Sequence, residues 1–424
     1  MLMGEHVLIS DEDGAIKHPH TTGEKVRFAI ALIFSIGGQT MQNIAVPMFL
    51  SDTTDDMGIM LAYTTLIYFL FFTFLDLFLG FFTPRKHQIA LDMDHKLIAV
   101  IGLQNALGGI GILFGGSPDR TPLPLQMSFF LLCNQLAPLY KVLRRYGFHP
   151  SRWRAVLTGT GKRGGLALLA ATTAYLIAMI LVLQDNLSRN EGDSKTISPY
   201  CLFFIGGTMC IMMYNVDQDI VMAGSRTINI QTGEAKSHEQ LSFLTHFRRD
   251  VTTLRYQCAW LCVAGWIGPL VSVLGGSESG DLTQEIFNRS WANLLPFSNV
   301  WINVLNGAYI VTFLGNIYIN RFDSAFTMIV CNVSAVSAMW TGWVPSLMLR
   351  TVGFSPNYGK TISAMILSLA AILPSWEFSK CFRQGLAQGD AEKRSEEVAG
   401  VTQHLVANVN NYNSEMQGSK KNYL

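Results

Sequence analysis

Charged side chains are scarce in this chain. Asp, Glu, Lys and Arg make up 14% of its 424 residues, whereas hydrophobic residues make up 49%. A soluble domain carries about a quarter charged residues, and the mean hydropathy of +0.27 is also too high for a soluble chain of this length. The composition therefore excludes a string of water-soluble domains and predicts one membrane-embedded bundle.

Motifs of enzymes, metal sites and nucleic-acid binding are missing as well. There is no Gly-rich nucleotide loop with its Lys and no serine nucleophile elbow, and His238 lacks the second His of a zinc-binding helix. Cys258 and Cys262 lie one helical turn apart, which packing explains better than metal binding. We expect no enzymatic activity, no cofactor, no metal site and no nucleic-acid partner. The net charge of +1 by itself says nothing about nucleic acid, since the distribution of the charges is what matters.

Long apolar stretches, in contrast, recur along most of the chain. A bilayer core of about 30 Å needs roughly 20 helical residues per crossing, and Gly58 to Phe82 meets that length with a single formal charge. The sequence predicts an all-α membrane protein with about ten transmembrane helices. The predicted crossings lie near residues 27–50, 58–82, 96–116, 122–144, 163–184, 199–222, 252–276, 298–319, 323–349 and 360–383.

Basic residues are distributed unevenly between the two sides of these crossings. About 25 of the 31 Lys and Arg residues fall on the side of the termini, which the positive-inside rule assigns to the cytosol. The most basic cytosolic loop is predicted from Lys141 to Arg163. The sequon that begins at Asn288 falls in a predicted lumenal loop, which makes Asn288 a candidate for glycosylation.

An odd number of crossings in each half gives the two halves opposite orientations. Five crossings, a lumenal linker and five more predict two inverted five-helix repeats, which is how many secondary transporters are built, with a substrate site between the repeats. The predicted order is a cytosolic N-terminal tail (1–26), a first half (27–184), a lumenal linker (185–198), a second half (199–383) and a cytosolic C-terminal tail (384–424).

Uncharged polar side chains recur inside the predicted crossings. A carboxamide that faces lipid leaves its donors and acceptors unsatisfied, so these residues must face other helices or a hydrated cavity. Hydrogen bonding between helices explains any one of them as well as a cavity does, but their number favours a polar path. The candidates for a substrate pathway are Gln42, Asn43, Asn105, Asn134, Gln135, Asn215, Asn306 and Asn332.

Asp76 is the most isolated charge in the apolar segments. It lies about one and a half turns from the cytosolic end of the second crossing. An ionised carboxylate at that depth is costly and by default marks an ion or proton pathway, so Asp76 is the candidate for proton coupling. The alternative is that its carboxylate reaches the cytosolic interface or pairs with a basic side chain.

Several stretches carry a resemblance to a known family. They are TMQNI in the first crossing, PLQMSFFLLCNQLAPLYKVLRRYGFHP across the fourth, MMYNVDQDIVM closing the sixth, TLRYQCAW opening the seventh and YINRFDSAFTMIVCNVSAVSAMW across the ninth. Together with the order of the crossings, over about residues 27–383, they resemble the chloroquine resistance transporter-like (CRT-like) family of the drug/metabolite transporter superfamily.

The resemblance implies a ten-helix inverted-repeat fold with a central cavity lined by crossings one to four and six to nine. It also implies secondary active transport of a small solute, such as an amino acid, a short peptide or an organic cation. The transport would run from the lumen of a vacuole, lysosome or other acidic organelle to the cytosol, driven by protons or by the membrane potential. Transferred by position, the resemblance places six residues on cavity-facing helices: Gln42, Asn43, Asn215, Asn306, Thr327 and Asn332.

Two other functions are compatible with the apolar crossings. A nucleotide-sugar or triose-phosphate type exchanger of the same superfamily should carry paired Lys or Arg residues deep in its late helices to bind phosphate, and the predicted late crossings contain almost no buried cation. A non-transporting membrane scaffold would not need so many polar residues near the midplane. A cavity with convergent polar groups would distinguish a transporter from a scaffold.

Overall fold

The computed structural model describes residues 22–52, 57–82, 89–92, 94–116, 121–189, 200–224, 226–229, 235–236, 243–267, 300–320, 324–341 and 359–421. Helices make up nearly all of these residues. They are α1 (Thr22–Asp52), α2 (Met57–Phe82), α3 (His95–Gly115), α4 (Leu123–Asn134), α5 (Ala137–Tyr146), α6 (Pro150–Arg189), α7 (Tyr200–Gly224), α8 (Phe243–Gly265), α9 (Val300–Asn320), α10 (Ser324–Thr341), α11 (Gly359–Ala370) and α12 (Ile372–Lys421).

Among the described residues, seven helical segments are long and apolar enough to cross a bilayer. They are Lys25–Leu50, Leu61–Phe82, His95–Gly115, Pro150–Gln184, Tyr200–Val221, Val300–Ile319 and Gly359–Glu396. The chain therefore has the architecture of a multi-pass helical membrane protein, as its composition predicts. The three other predicted crossings correspond to the broken pair α4–α5, to α8 with its several charges, and to α10, which contributes the shorter apolar helical segment Ile329–Thr341.

Two predicted crossings are interrupted where the sequence analysis expected continuous helices. The fourth ends as α4 at Asn134 and resumes as α5 at Ala137, and the tenth is divided at Ala371 between α11 and α12. Proline explains both breaks. Pro138 and Pro374 lack the N–H that would bond to the carbonyls of Asn134 and Ala370 four residues earlier.

Helices also extend into segments that the sequence analysis assigned to a loop and a tail. Helix α6 begins at Pro150, well inside the predicted loop 141–163, and it is kinked at Gly161, whose backbone is not helical (φ 66°, ψ 175°). The kink separates a helical segment within that loop from the predicted crossing that follows it. The predicted C-terminal tail, 384–424, is helical up to Lys421. Helix α12 packs along α6. The C-terminal helix of the second half therefore lies against the last helix of the first half.

A small sheet joins two of the connections in this predominantly helical membrane protein. Strand β1 (Ile89–Asp92) follows α2, and strands β2 (Arg226–Asn229) and β3 (Ala235–Lys236) follow α7. All pairings are antiparallel, with Ile89 opposite Asn229 and Thr227 opposite Lys236. The sheet ties the α2–α3 connection to the α7–α8 connection, so these two connections lie at the same end of the bundle.

Glycines bring two pairs of helices into close contact at the centre of the bundle. Where α1 packs on α9, a Cβ added to Gly38 would lie 2.9 Å from the carbonyl oxygen of Ala308, and one added to Gly315 would lie 2.7 Å from the amide nitrogen of Ser35. Where α3 packs on α7, a Cβ on Gly207 would lie 2.7 Å from the amide nitrogen of Ile112. Small residues at such crossings allow the backbones to approach.

Candidate functional site

A cavity lies between the two glycine-mediated helix pairs. It is lined by residues of α1, α3, α4, α7 and α9 and has a volume of about 60 Å³, enough for several water molecules. Its apolar lining includes Phe130, Phe204 and Phe313. Its polar lining consists of Gln39, Gln42, Asn43, Asn105, Gln126, Tyr214, Asn215, Tyr309, Thr312 and Asn316.

Several polar atoms in the cavity wall have no partner. Among the described residues, Gln39 Oε1, Asn43 Nδ2 and Thr312 Oγ1 are buried without a hydrogen bond. Gln39 is only 6% exposed, and its Nε2 is held 3.4 Å from the sulfur of Cys331 on α10. Because an unsatisfied buried polar group costs about 1–3 kcal/mol, these atoms mark a wall built to contact water or a polar solute.

Other lining amides are fixed by neighbouring helices. Gln42 Nε2 donates to the carbonyl of Ala308 over 3.3 Å, and Ser35 on α1 donates to Asn316 Oδ1 on α9. Gln126 Nε2 donates to the carbonyl of Thr121 over 2.6 Å. These bonds hold the amides in place, so the cavity wall is partly preorganised.

The cavity wall is polar but uncharged: none of its described lining residues is an Asp, Glu, Lys or Arg. Amide, hydroxyl and phenol groups donate and accept hydrogen bonds without a net charge. Such a wall suits the neutral polar or zwitterionic parts of a small solute. It contains no cation pair that would compensate a phosphate.

The structure brings together four of the predicted pathway residues. Gln42 and Asn43 on α1, Asn105 on α3 and Asn215 on α7 all line the cavity. Asn134, Gln135, Asn306 and Asn332 lie outside its lining. Thr327 belongs to α10, but its side chain is not among those described, and the glycosylation candidate Asn288 lies outside the described residues.

Asn134 and Asn332 bridge two helices instead. Asn134 Nδ2 on α4 donates to Asn332 Oδ1 on α10 over 3.0 Å, and both side chains are buried. Gln135 donates weakly to the carbonyl of Leu131 in its own helix, at 3.5 Å. For Asn134 and Asn332, hydrogen bonding between helices is therefore the role that the structure supports.

The bridge predicts a stability effect. Asn332→Leu should lower the free energy of unfolding by about 1 kcal/mol, because it strands Asn134 in an apolar environment. The double variant N134L/N332L should be closer to wild type, since neither amide is then unpaired. Thermal midpoints of the detergent-purified variants measure both effects, and a double variant no more stable than N332L would show that the two amides do not act as a pair.

Four further lining residues, Gln39, Gln126, Thr312 and Asn316, were not among the predicted pathway residues, although each lies in a predicted crossing. For Gln39 a signal was available, because it lies one helical turn from the predicted residue Asn43. The other three lie six residues or more from the nearest predicted residue on the same helix, so their place in the lining depends on the packing of the helices.

Asp76 is not isolated, which corrects the premise on which it was singled out. Its carboxylate lies 2.6 Å from Arg255 Nη1 and 3.7 Å from Arg248 Nε, and it accepts a hydrogen bond of 2.8 Å from the Thr252 hydroxyl. All three partners lie on α8. The sequence could not show this, because long Arg side chains reach Asp76 from a helix about 170 residues away in the chain. Proton coupling at Asp76 stays a prediction.

A second buried carboxylate, Asp217, is central to a network that the sequence analysis did not single out. Asp217 is fully buried and accepts hydrogen bonds from Gln104 Nε2 (2.8 Å), the Tyr140 hydroxyl (2.9 Å) and Arg144 Nε (2.7 Å). These bonds fasten α7 to α3 and α5. Two residues further along α7, Asp219 pairs with Lys141 at 3.0 Å.

Comparison with known proteins adds no identification. The sequence matches no known family model and no curated protein.

Proposed function

We propose that this protein is a secondary active transporter of small polar solutes, similar to the CRT-like family and built from two inverted five-helix repeats. The observation that carries the proposal is the cavity between the halves, with unpartnered polar atoms contributed by α1 and by α9. A membrane scaffold has no need of such a wall. The absence of lining cations among the described residues disfavours a phosphate exchanger.

The pairing of the helices supports the inverted repeat. In such a repeat the first crossing corresponds to the sixth and the third to the eighth. The contact of α1 with α9 then corresponds to the contact of α7 with α3, and both are glycine-mediated. Two other extensive contacts, α2 with α8 and α6 with α11 and α12, each map onto themselves. The contact of α3 with α8 is larger than its counterpart, α2 with α9.

The small sheet supports the count of crossings. Strands β1 and β2 pair directly, so the chain between Asp92 and Arg226 must cross the membrane an even number of times. Helices α3, α6 and α7 account for three crossings, and the broken pair α4–α5 is the remaining segment. We therefore count α4–α5 as a crossing despite its break at Gln135 and Leu136.

The small cavity supports a closed conformation in the transport cycle. On the side of Asp76, Tyr68 and Phe72 on α2 pack against Phe313 on α9, with ring centroids 5.8 and 6.1 Å apart. Opening this side requires α2 and α9 to separate. Rocking of the halves across the glycine contacts would expose the cavity to each side in turn.

The proposed substrates are amino acids or short peptides, because their amide and ammonium groups match the uncharged hydrogen-bonding wall. Organic cations form the next class to test. We further propose that the termini are cytosolic and that the protein resides in the membrane of a vacuole, lysosome or other acidic organelle. Proton gradient or membrane potential would drive export to the cytosol, with Asp76 as the proton-coupling candidate.

Uptake by reconstituted vesicles tests the proposal. The panel consists of amino acids, dipeptides and amines. We expect it to include solutes whose uptake per folded molecule falls about tenfold in Asn43→Leu. The variant removes a neutral hydrogen-bond donor, and such a bond contributes about 1.5 kcal/mol. Gln135→Leu is the matched control: it is also an amide-to-leucine change, but outside the cavity, and should leave uptake unchanged.

Two results would contradict this assignment. If wild-type vesicles take up none of the panel above empty liposomes, the transporter proposal fails. If Asn43→Leu and Gln135→Leu have equal uptake per folded molecule, the cavity is not the substrate site.

A further inference from the structure

Arg249 on α8 is a buried cation without a hydrogen-bond partner at two of its nitrogens. Its side chain is 2% exposed, and within the described part of the chain neither Nε nor Nη2 makes a hydrogen bond. The neighbouring carboxylate of Asp250 lies 3.9 Å from Nε, beyond hydrogen-bond distance. The sequence analysis began the seventh crossing at residue 252 and so left Arg249 outside it, whereas α8 begins at Phe243.

A polar stripe connects Arg249 with the cavity. Arg249, Thr253 and Gln257 follow each other at intervals of four residues, so they share one face of α8. Gln257 Oε1 accepts from Gln218 Nε2 on α7 over 3.1 Å, and the same Nε2 lies 3.1 Å from the hydroxyl of Tyr214, which lines the cavity.

The stripe runs from the cavity toward one side of the membrane. At 1.5 Å per residue, Arg249 lies about 12 Å along α8 from Gln257, toward the end of the bundle that carries the small sheet. The charge bias assigns this end to the cytosol. The three stripe residues, Arg249, Thr253 and Gln257, are buried, and so is Gln218 on α7.

A buried guanidinium with two nitrogens that make no hydrogen bond is costly, even with a carboxylate 3.9 Å away, and natural proteins keep such violations mainly at functional sites. A guanidinium has a planar pair of N–H groups that matches the two oxygens of a carboxylate. We propose that Arg249 binds the carboxylate of the transported solute as the solute passes between the cavity and the sheet-bearing end. This inference rests on the proposed function and narrows its substrate class to solutes that carry a carboxylate.

The local charge favours a carboxylate over a phosphate. Arg249 is one cation with Asp250 beside it, and the rest of the stripe consists of amides and a hydroxyl. A phosphate dianion would need further cations to compensate its charge, whereas a single carboxylate needs one.

Ligand-dependent thermal stability tests the binding step. The probes are N-acetylalanine, its amide N-acetylalaninamide, and inorganic phosphate, each at about 10 mM, above the usual range of KM values, and at matched ionic strength. We expect N-acetylalanine alone to raise the thermal midpoint of the detergent-purified wild-type protein. Arg249→Met should abolish the shift, and Arg248→Met, which removes a neighbouring Arg that already faces Asp76, should retain it.

The stability of the unliganded variant adds an independent readout. Because Arg249 makes no hydrogen bond through Nε or Nη2, Arg249→Met should fold, and its midpoint should fall only by the loss of the 3.9 Å charge contact with Asp250. A strongly destabilised or unfolded variant would mean that Arg249 has a structural partner and would overturn the inference. So would an equal shift with the amide, a shift with phosphate alone, no shift with any probe, or a carboxylate shift that persists in Arg249→Met.

Transport separates this inference from the proposed function. In vesicles, the ratio of N-acetylalanine uptake to N-acetylalaninamide uptake should fall about tenfold in Arg249→Met, the loss expected for a charge-assisted hydrogen bond. If wild-type vesicles move both probes and the variant keeps the same ratio, the role of Arg249 is wrong while the transporter proposal stands. If the wild type moves no solute of the wider panel either, both are wrong.

Discussion

Gly207→Ala is expected to destabilise the protein by about 2 kcal/mol, within the range for overpacking a well-packed contact, whereas the adjacent Gly206→Ala is expected to stabilise it. A Cβ on Gly207 would lie 2.7 Å from the Ile112 amide nitrogen and 2.8 Å from the Gly108 carbonyl oxygen. Both are backbone atoms of α3, so no side chain can rotate away. Helices α3 and α7 would have to separate, and both form walls of the cavity.

Gly206 provides the matched control because the two glycines are neighbours on the same helix. A Cβ on Gly206 would meet no atom within 4 Å, and alanine is favoured over glycine inside a helix by up to about 1 kcal/mol. The fraction of monodisperse protein left after heating measures both variants. Changes of the same sign would contradict the close α3–α7 contact. Gly207→Ala should also reduce uptake per folded molecule, since the separation displaces Asn215 and Asn105 from each other.

Asp217→Asn should destabilise the protein by about 3 kcal/mol, at the lower end for breaking a buried ion pair because the Arg144 side chain is 32% exposed. The change removes the charge that Arg144, Tyr140 and Gln104 all face. It also turns one acceptor of the network into a donor. Helix α5, held to α7 through this network, would lose its main polar attachment.

A double-mutant cycle checks that the effect belongs to the pair. Arg144→Met should also destabilise, but the double variant D217N/R144M should be more stable than D217N alone, since the stranded guanidinium is gone. Asp219→Asn, which affects a single partner, Lys141, at a partly exposed site, should cost less than half as much. Additive effects of Asp217→Asn and Arg144→Met would mean that the two side chains are not coupled.

The amide side chains illustrate how far sequence reasoning reaches. The argument that a carboxamide cannot face lipid correctly requires Asn134 and Asn332 to have partners. It cannot distinguish a cavity from another amide, because that depends on how each helix is rotated about its axis. In the structure, Asn134 and Asn332 form a hydrogen bond with each other. Gln42 and Asn43 line the cavity.

The charges illustrate the opposite situation, in which distance along the chain hides the relevant contact. Asp76 looks isolated because its nearest neighbours in sequence are apolar, yet Arg255 approaches it to 2.6 Å. Arg249 looks like part of a soluble loop because charges surround it at 248 and 250, yet it is buried. A pattern in a single sequence shows only the residues that are near along the chain. It does not show which residues of other helices contact a given side chain.

That this is a helical membrane protein follows from the sequence alone, because too few charges and too many apolar runs are present for a fold in water. The need of polar residues inside the crossings for partners also follows from it, through elementary hydrogen-bond chemistry. Which amides face the cavity, which carboxylates are paired, and that Arg249 is buried beside a polar stripe are visible only in the three-dimensional arrangement. These depend on helix rotation and on contacts between the halves, and neither is encoded within a single segment.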